Sequence, residues 1–189
     1  SGHRYRVIIP FLTSLVRDLV QPLVPPEQLH WFGGVDAFSF YIVNYFFTSL
    51  TGLFLYCFLA QLKFDPKLSL LGVFIFLGSR ITVLTTGAPI VDSLYFLSII
   101  IIVYFCLTKN TTALTILTPI LILTKETIIP FLFLPFFVKQ INRKLFGISV
   151  LVSFAIFFWA RDTISSWSPN IIERSDPIFD VFKNHLISG

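Results

Sequence analysis

The sequence contains no methionine among its 189 residues. A chain without even a start residue is expected to be a processed product or, more simply, an internal piece of a longer protein. Charge is scarce as well. Asp, Glu, Lys and Arg make up 13% of the residues, about half the share of a soluble domain. Against 55% hydrophobic residues and a mean hydropathy of +0.83, that shortage excludes a disordered chain and a coiled coil, and argues against a soluble globular domain. There are 2 cysteines. Cys57 and Cys106 lie inside apolar runs and read as small buried hydrophobes rather than as a disulfide. His3, His30 and His185 have no metal-ligand spacing, so no metal site is expected. There is no GxSxG elbow, P-loop or GxGxxG motif, and no internal repeat. Ser1–Pro10 is no signal peptide: its apolar run is too short and no small-residue cleavage pattern follows.

What the sequence has is phenylalanine, 23 in all, and long apolar runs. Ala37–Leu62 is uncharged and long enough to cross about 30 Å of hydrocarbon. Leu68–Thr86 carries one charge, Arg80, near its end, and Gly87-Ala88-Pro89 breaks it. Ile90–Thr108 follows, with Asp92 in its first turn. Leu145–Ala160 is closed by Arg161-Asp162. Between the last two, Thr111–Val138 is split by Lys125-Glu126 and interrupted by Pro119, Pro130 and Pro135. Each half is about a dozen residues, a length that suits a re-entrant segment. The alternatives are a hairpin of two short helices with Lys125-Glu126 at its tip, and one long kinked helix.

Net charge is +4 and pI about 9.2, yet the cations form no stripe and match no nucleic-acid motif, so no nucleic-acid partner is expected. They cluster in short loops: Lys63 and Lys67; Lys109; Lys139, Arg143 and Lys144. Loops of this kind stay cytoplasmic. The hairpin puts all of them on one side and the long helix does not, so the loop charges favour the hairpin. Asn110-Thr111-Thr112, a formal glycosylation sequon, then falls on the cytoplasmic side. The segment Tyr5–Val24 has Val7, Ile8, Phe11, Leu12, Leu15, Val16 and Leu19 at helical spacing, and reads as an amphipathic helix in the interface. Trp31, Phe32 and Tyr41 suit headgroup depth.

The expected architecture is therefore all-α: a polytopic integral membrane bundle of about four transmembrane helices, a re-entrant short-helix hairpin and an N-terminal interfacial helix. Residues 1–36 form an outer-face segment. Residues 37–160 form the bundle, with helices at 37–62, 68–86, 90–108 and 145–160 and the hairpin at 111–138. Residues 161–189 form a polar outer-face tail. Such a protein resides in a prokaryotic plasma or inner membrane or in the endoplasmic reticulum membrane, with membrane lipid as a partner.

Ionisable groups at membrane depth are costly and mark candidate sites. Thr124 can cap the second short helix, placing Glu126 in its first turn. A broken helix that points its N-terminus and Lys125 at one spot is also an anion site, suited to a lipid phosphate. Asp92 is either a favourable first-turn acid or a hydroxyl- or metal-binding carboxylate. Arg80 is expected to face Asp92 across the turn, as an ion pair or a phosphate ligand. Asn44, Thr48 and Thr51 read as interhelical hydrogen-bonding groups.

The block Gly87-Ala-Pro-Ile-Val-Asp92, a crossing helix, the basic turn Thr108-Lys109-Asn110 and the short apolar helix ending Thr124-Lys125-Glu126-Thr127 resembles polyprenyl-phosphate-dependent glycosyltransferases of the GT-C fold. The opening Tyr5-Arg6-Val7-Ile8-Ile9-Pro10 is similar to the start of their first outer loop. The resemblance implies transfer of a sugar from a lipid-linked donor to an acceptor hydroxyl on the non-cytoplasmic face. An acid serves as base, and cationic groups, sometimes with a divalent metal, stabilise the leaving phosphate. The usual catalytic acid would fall before Ser1, so the catalytic residue itself is unknown and this piece alone is expected to be inactive. Asp92, Lys125 and Glu126 carry over as site-lining residues; Arg80 is added from the topology. A transporter or flippase-like module and a non-enzymatic membrane scaffold are the alternatives.

Overall fold

A computed structural model describes residues 8–87 and 92–167. The elements are α1 (Ile8–Val20), α2 (Pro26–Leu29), α3 (Val35–Gln61), α4 (Pro66–Leu77), α5 (Arg80–Gly87), α6 (Asp92–Leu107), α7 (Thr111–Leu121), a 3-10 segment (Glu126–Phe133), α8 (Leu134–Phe137) and α9 (Arg143–Trp167), with a further 3-10 turn at His30–Phe32. The fold is all-helical, with no strand among the described residues. Two helices, Val35–Gln61 and Arg143–Ala160, are long and apolar enough to cross a membrane.

The frame is set by three turns at one end. After α3, Lys63 adopts a left-handed conformation (φ 65). Its N–H bonds Ala60 O at 2.9 Å, and that of Phe64 bonds Leu59 O at 3.2 Å. These are the paired bonds of a Schellman cap, which satisfies carbonyls the helix end leaves open. The same device ends α6: Lys109 has φ 58, and Lys109 N and Asn110 N bond Cys106 O and Phe105 O at 3.2 and 3.0 Å. A left-handed residue that carries a Cβ costs roughly 1–2 kcal/mol, which is why glycine is the usual occupant. The helices that leave this end are each started by an Asx side chain. Asp65 accepts from Lys67 N at 2.8 Å, Asn110 from Ala113 N at 3.0 Å and Asn142 from Leu145 N at 3.2 Å. Such caps contribute about 1 kcal/mol each.

Side-chain partners fix the directions. Gly52 and Gly72 let α3 and α4 approach closely. A Cβ on Gly72 would meet Leu59 Cδ1 at 2.9 Å, and one on Gly52 would meet Val73 Cγ1 at 3.3 Å. This pairing, with Thr48 against Thr86 at 3.0 Å, makes α4–α5 run antiparallel to α3. Ser93 bonds Asn44 and Tyr104 stands edge-on to Phe54, so α6 runs parallel to α3. From Asn110 the chain turns back along α6. The 3-10 segment and α8 then return it to Asn142, whose N–H bonds Thr111 Oγ1 at 3.2 Å. The stretch 111–142 thus doubles back on itself. Finally Ser149 Oγ donates to Thr115 O at 2.6 Å, setting α9 alongside α7 in the same direction. Lys63, Lys67, Lys109, Lys139, Arg143 and Lys144 therefore share one end of the bundle.

The core lies among α3, α6, α7, α9 and the returning limb, around Ile102, Leu114, Ile122, Ile128, Leu132 and Phe146. Around it, small polar side chains are buried and large apolar ones are exposed. Ser39, Asn44, Ser69, Ser98, Thr118 and Ser153 are wholly buried, while Phe46, Leu53, Phe74, Ile116, Leu151 and Trp159 point outward and exposed.

Several boundaries differ from expectation. The run Leu68–Thr86 is two helices, because Gly78 ends α4 and Ser79 caps α5 by accepting from Thr82 N at 3.3 Å. The last helix continues through Arg161-Asp162 to Trp167; charged residues do not stop a helix, and the first breaker beyond it in sequence is Pro169. The N-terminal helix spans Ile8–Val20 and packs on α3, with Arg17 3.7 Å from Asp36. Ile8, Leu12 and Val16 pack against the core, whereas Phe11, Leu15 and Leu19 stay exposed. The turn residues 88–91 and the tail 168–189 lie outside the described residues.

Candidate functional site

The end opposite the basic turns gathers the polar side chains. Asp92 opens α6 in its first turn, where a carboxylate complements the exposed N–H groups of the helix. On the facing limb, Pro119 interrupts α7, which stops at Leu121. The chain tightens there, with Leu123 N on Ile120 O at 3.2 Å and Thr124 N on Leu121 O at 3.1 Å. Lys125 is then extended (φ −165, ψ 140) before the 3-10 segment begins. Extension swings its side chain across to α6, where Nζ donates to Asp92 Oδ1 at 2.5 Å. Tyr95, three residues after Asp92 and so on the same helix face, puts its ring 5.0 Å from the same nitrogen. The ammonium lies between a carboxylate and an aromatic face.

The pair is only partly desolvated: side-chain exposures are 18% for Lys125 and 23% for Asp92. Beneath the pair lies a ladder of buried hydroxyls. Ser93 Oγ donates to Asn44 Oδ1 at 2.7 Å, the Thr48 and Thr86 hydroxyls share a bond at 3.0 Å, and Ser98 Oγ donates to Leu94 O at 2.7 Å. The first two bonds join α3 to α6 and to α5, and the third lies within α6.

The sequence-derived residues fare differently. Asp92 and Lys125, 33 positions apart, are brought into contact. Arg80 is exposed and does not face Asp92; it opens α5, at the opposite end of that helix from Thr86, because the break at Gly78-Ser79 sets it there. The cation beside Asp92 is Lys125 instead. Glu126 begins the 3-10 segment, and its side chain lies outside the described residues. Thr124 is not the expected N-cap: its hydroxyl donates back to Leu121 O at 2.7 Å, satisfying a carbonyl at the end of α7. Asn44 and Thr48 do bond across helices, whereas Thr51 Oγ1 donates within its own helix to Phe47 O. Tyr95 was missed; its only sequence signal is the three-residue spacing from Asp92.

Asp92 is a single carboxylate already against an ammonium, and the described residues hold no group of three or more His, Cys, Asp or Glu side chains. The arrangement suits a singly or doubly charged anion drawn to Lys125, with the carboxylate as an adjacent acceptor for a hydroxyl. Among known proteins, no family model, curated protein or solved structure matches the chain.

Proposed function

We propose that the chain is part of a multi-pass membrane glycosyltransferase that takes a sugar from a polyprenyl-phosphate carrier, and that Lys125 and Asp92 line its donor site. In this reading α3, α4–α5, α6 and α9 cross the bilayer and the stretch 111–138 is a re-entrant hairpin. The outward apolar side chains and inward hydroxyls support that placement, since hydrocarbon rewards the first and punishes unpaired polar groups. The basic turns are then cytoplasmic and the Lys125 tip faces the other side. The exposed Trp31 and Tyr41 stand at headgroup depth, and α1 lies against the outer part of α3.

The observation that carries the chemistry is the Lys125–Asp92 contact at the tip. Transfer breaks the bond between the sugar's anomeric carbon and a phosphate oxygen, and forms one to the acceptor oxygen. Negative charge grows on the departing phosphate, and Lys125 is placed to receive it once the anion competes with Asp92. Asp92, exchanged out of that contact, accepts a hydrogen bond from a sugar or acceptor hydroxyl. The acceptor's proton goes to the carboxylate base that the resemblance implies, a residue other than Asp92.

Two measurements test this. In a background of Cys57→Ala and Cys106→Ala, an impermeant maleimide on intact cells should label Gln28→Cys and spare Asn110→Cys; labelling of Asn110→Cys from outside would overturn the topology. In membranes carrying the full-length protein, release of polyprenyl phosphate from a polyprenyl-phosphate-linked sugar should fall about 100-fold or more in Lys125→Ala. Wild-type release in a folded Lys125→Ala protein removes the lysine from the reaction. Movement of the intact lipid-linked sugar across the bilayer, with no cleavage, would establish a transporter instead.

A further inference from the structure

We infer that the basic end of the bundle is a binding surface for anionic phospholipid headgroups, and that Lys63 and Lys109 are there for this contact. Both lysines adopt left-handed backbone conformations, φ 65 and 58, at cap positions where glycine fits without strain. Both are exposed, and neither has a carboxylate partner among the described residues. Among the described residues, then, each side chain brings strain and no carboxylate partner. The same irregular choice is made twice, at two turns that share one end of the fold. What the ammonium groups meet lies beyond the described residues, and we place it in the bilayer.

The neighbours say what that is. Lys67, Lys139, Arg143 and Lys144 are exposed at the same end. The acid there, Asp65, is engaged in capping α4. The ligand must be anionic. It must also carry an apolar part attached to its charge, because exposed Phe64, Leu68, Phe137 and Leu145 stand immediately beside these cations. Free phosphate and nucleic acid satisfy the first condition only. A phospholipid with a negatively charged headgroup satisfies both, its phosphate on the lysines and its acyl chains along the helices. This inference rests on placement of the bundle in a bilayer and is independent of the proposed reaction.

The test uses the purified protein in neutral-detergent micelles, titrated with phosphatidylglycerol, phosphatidylcholine or inorganic phosphate, with the unfolding temperature as readout. Phosphatidylglycerol should raise it at the lowest concentration. Lys63→Gly and Lys109→Gly should each raise the half-maximal phosphatidylglycerol concentration about fivefold, while unfolding at a higher temperature than wild type in lipid-free micelles. Lys63→Gln and Lys109→Gln keep the strained Cβ, so they should show the same fivefold shift without that gain. An unchanged phosphatidylglycerol response in the glycine variants overturns the inference, as does equal protection by inorganic phosphate. Protein that fails to incorporate into phosphatidylcholine vesicles at all overturns the bilayer placement, and this inference with it; the polyprenyl-phosphate release assay reports on the reaction separately.

Discussion

Lys125→Ala should destabilise the bundle by about 2 kcal/mol, and Asp92→Ala by a similar amount, while the double variant loses clearly less than their sum. Removing one partner of a fully buried ion pair costs about 3–5 kcal/mol, because a charge stays behind in a poor solvent. Here the side chains keep 18% and 23% of their exposure, so water and rearrangement soften the loss. Groups in direct contact couple by about 0.5–3 kcal/mol in a double-mutant cycle. Reversible unfolding in mixed micelles, followed for the two single variants and the double, measures that coupling. Simple additivity would mean that the contact holds nothing together. Coupling has a functional use as well: it separates a lysine that merely pins the tip from one that also receives phosphate. Asp92→Ala removes the pin and leaves the ammonium, so it should retain phosphate-dependent protection of the site that Lys125→Ala abolishes.

Phe146→Ala should be the most damaging single truncation in the core, at about 3–5 kcal/mol. Phe146 is fully buried, and its ring stands 5.2 Å from that of Phe136 at 64°, an edge-to-face contact that adds to simple burial. Phe136 belongs to α8 and Phe146 to α9, so the contact fastens the returning limb of the doubled-back stretch to the last helix. Loss of the ring should raise hydrogen exchange across 126–137 well before it does so in α3 or α4. Leu151→Ala, at a residue 71% exposed, is the control and should be close to neutral in micelles. Equal effects of the two substitutions would mean that the core does not lie where Phe146 places it.

Much of the helical layout was legible because apolar runs and their interruptions report length directly. Ala37–Leu62 and Val35–Gln61 are nearly the same helix, since nothing within it competes with helix formation. The interruption within 111–138 was readable from Pro119 and Lys125-Glu126: α7 stops at Leu121 and a 3-10 segment starts at Glu126. The break at Gly78-Ser79 was not, because the hydrophobic run continues through it and only a serine cap marks the restart. That omission displaced Arg80 and so mispaired Asp92. Asp92 and Lys125 were each singled out for their chemistry and assigned to one face. Their contact follows from the extended backbone at Lys125, which composition and periodicity do not encode. Thr124 misled for a related reason: a threonine after a helix can cap forward or backward, and the open carbonyl of Leu121 lay within its reach.

The twin lysine turns also bear on how the chain assembles. Each closes through bonds between residues no more than five apart in sequence, so α3 with α4, and α6 with α7, can fold as separate hairpins as they emerge, with little loop-closure entropy to overcome. The hydrogen bonds described between these two units are few, and the Asn44–Ser93 bond sits at the end of the joint where α6 begins. A buried amide acts as an address: sliding one hairpin along the other by a single helical turn would part it from Ser93. The order of assembly is thus local hairpins first, lateral register second, and Asn44 is the residue that tells the second hairpin where to stop.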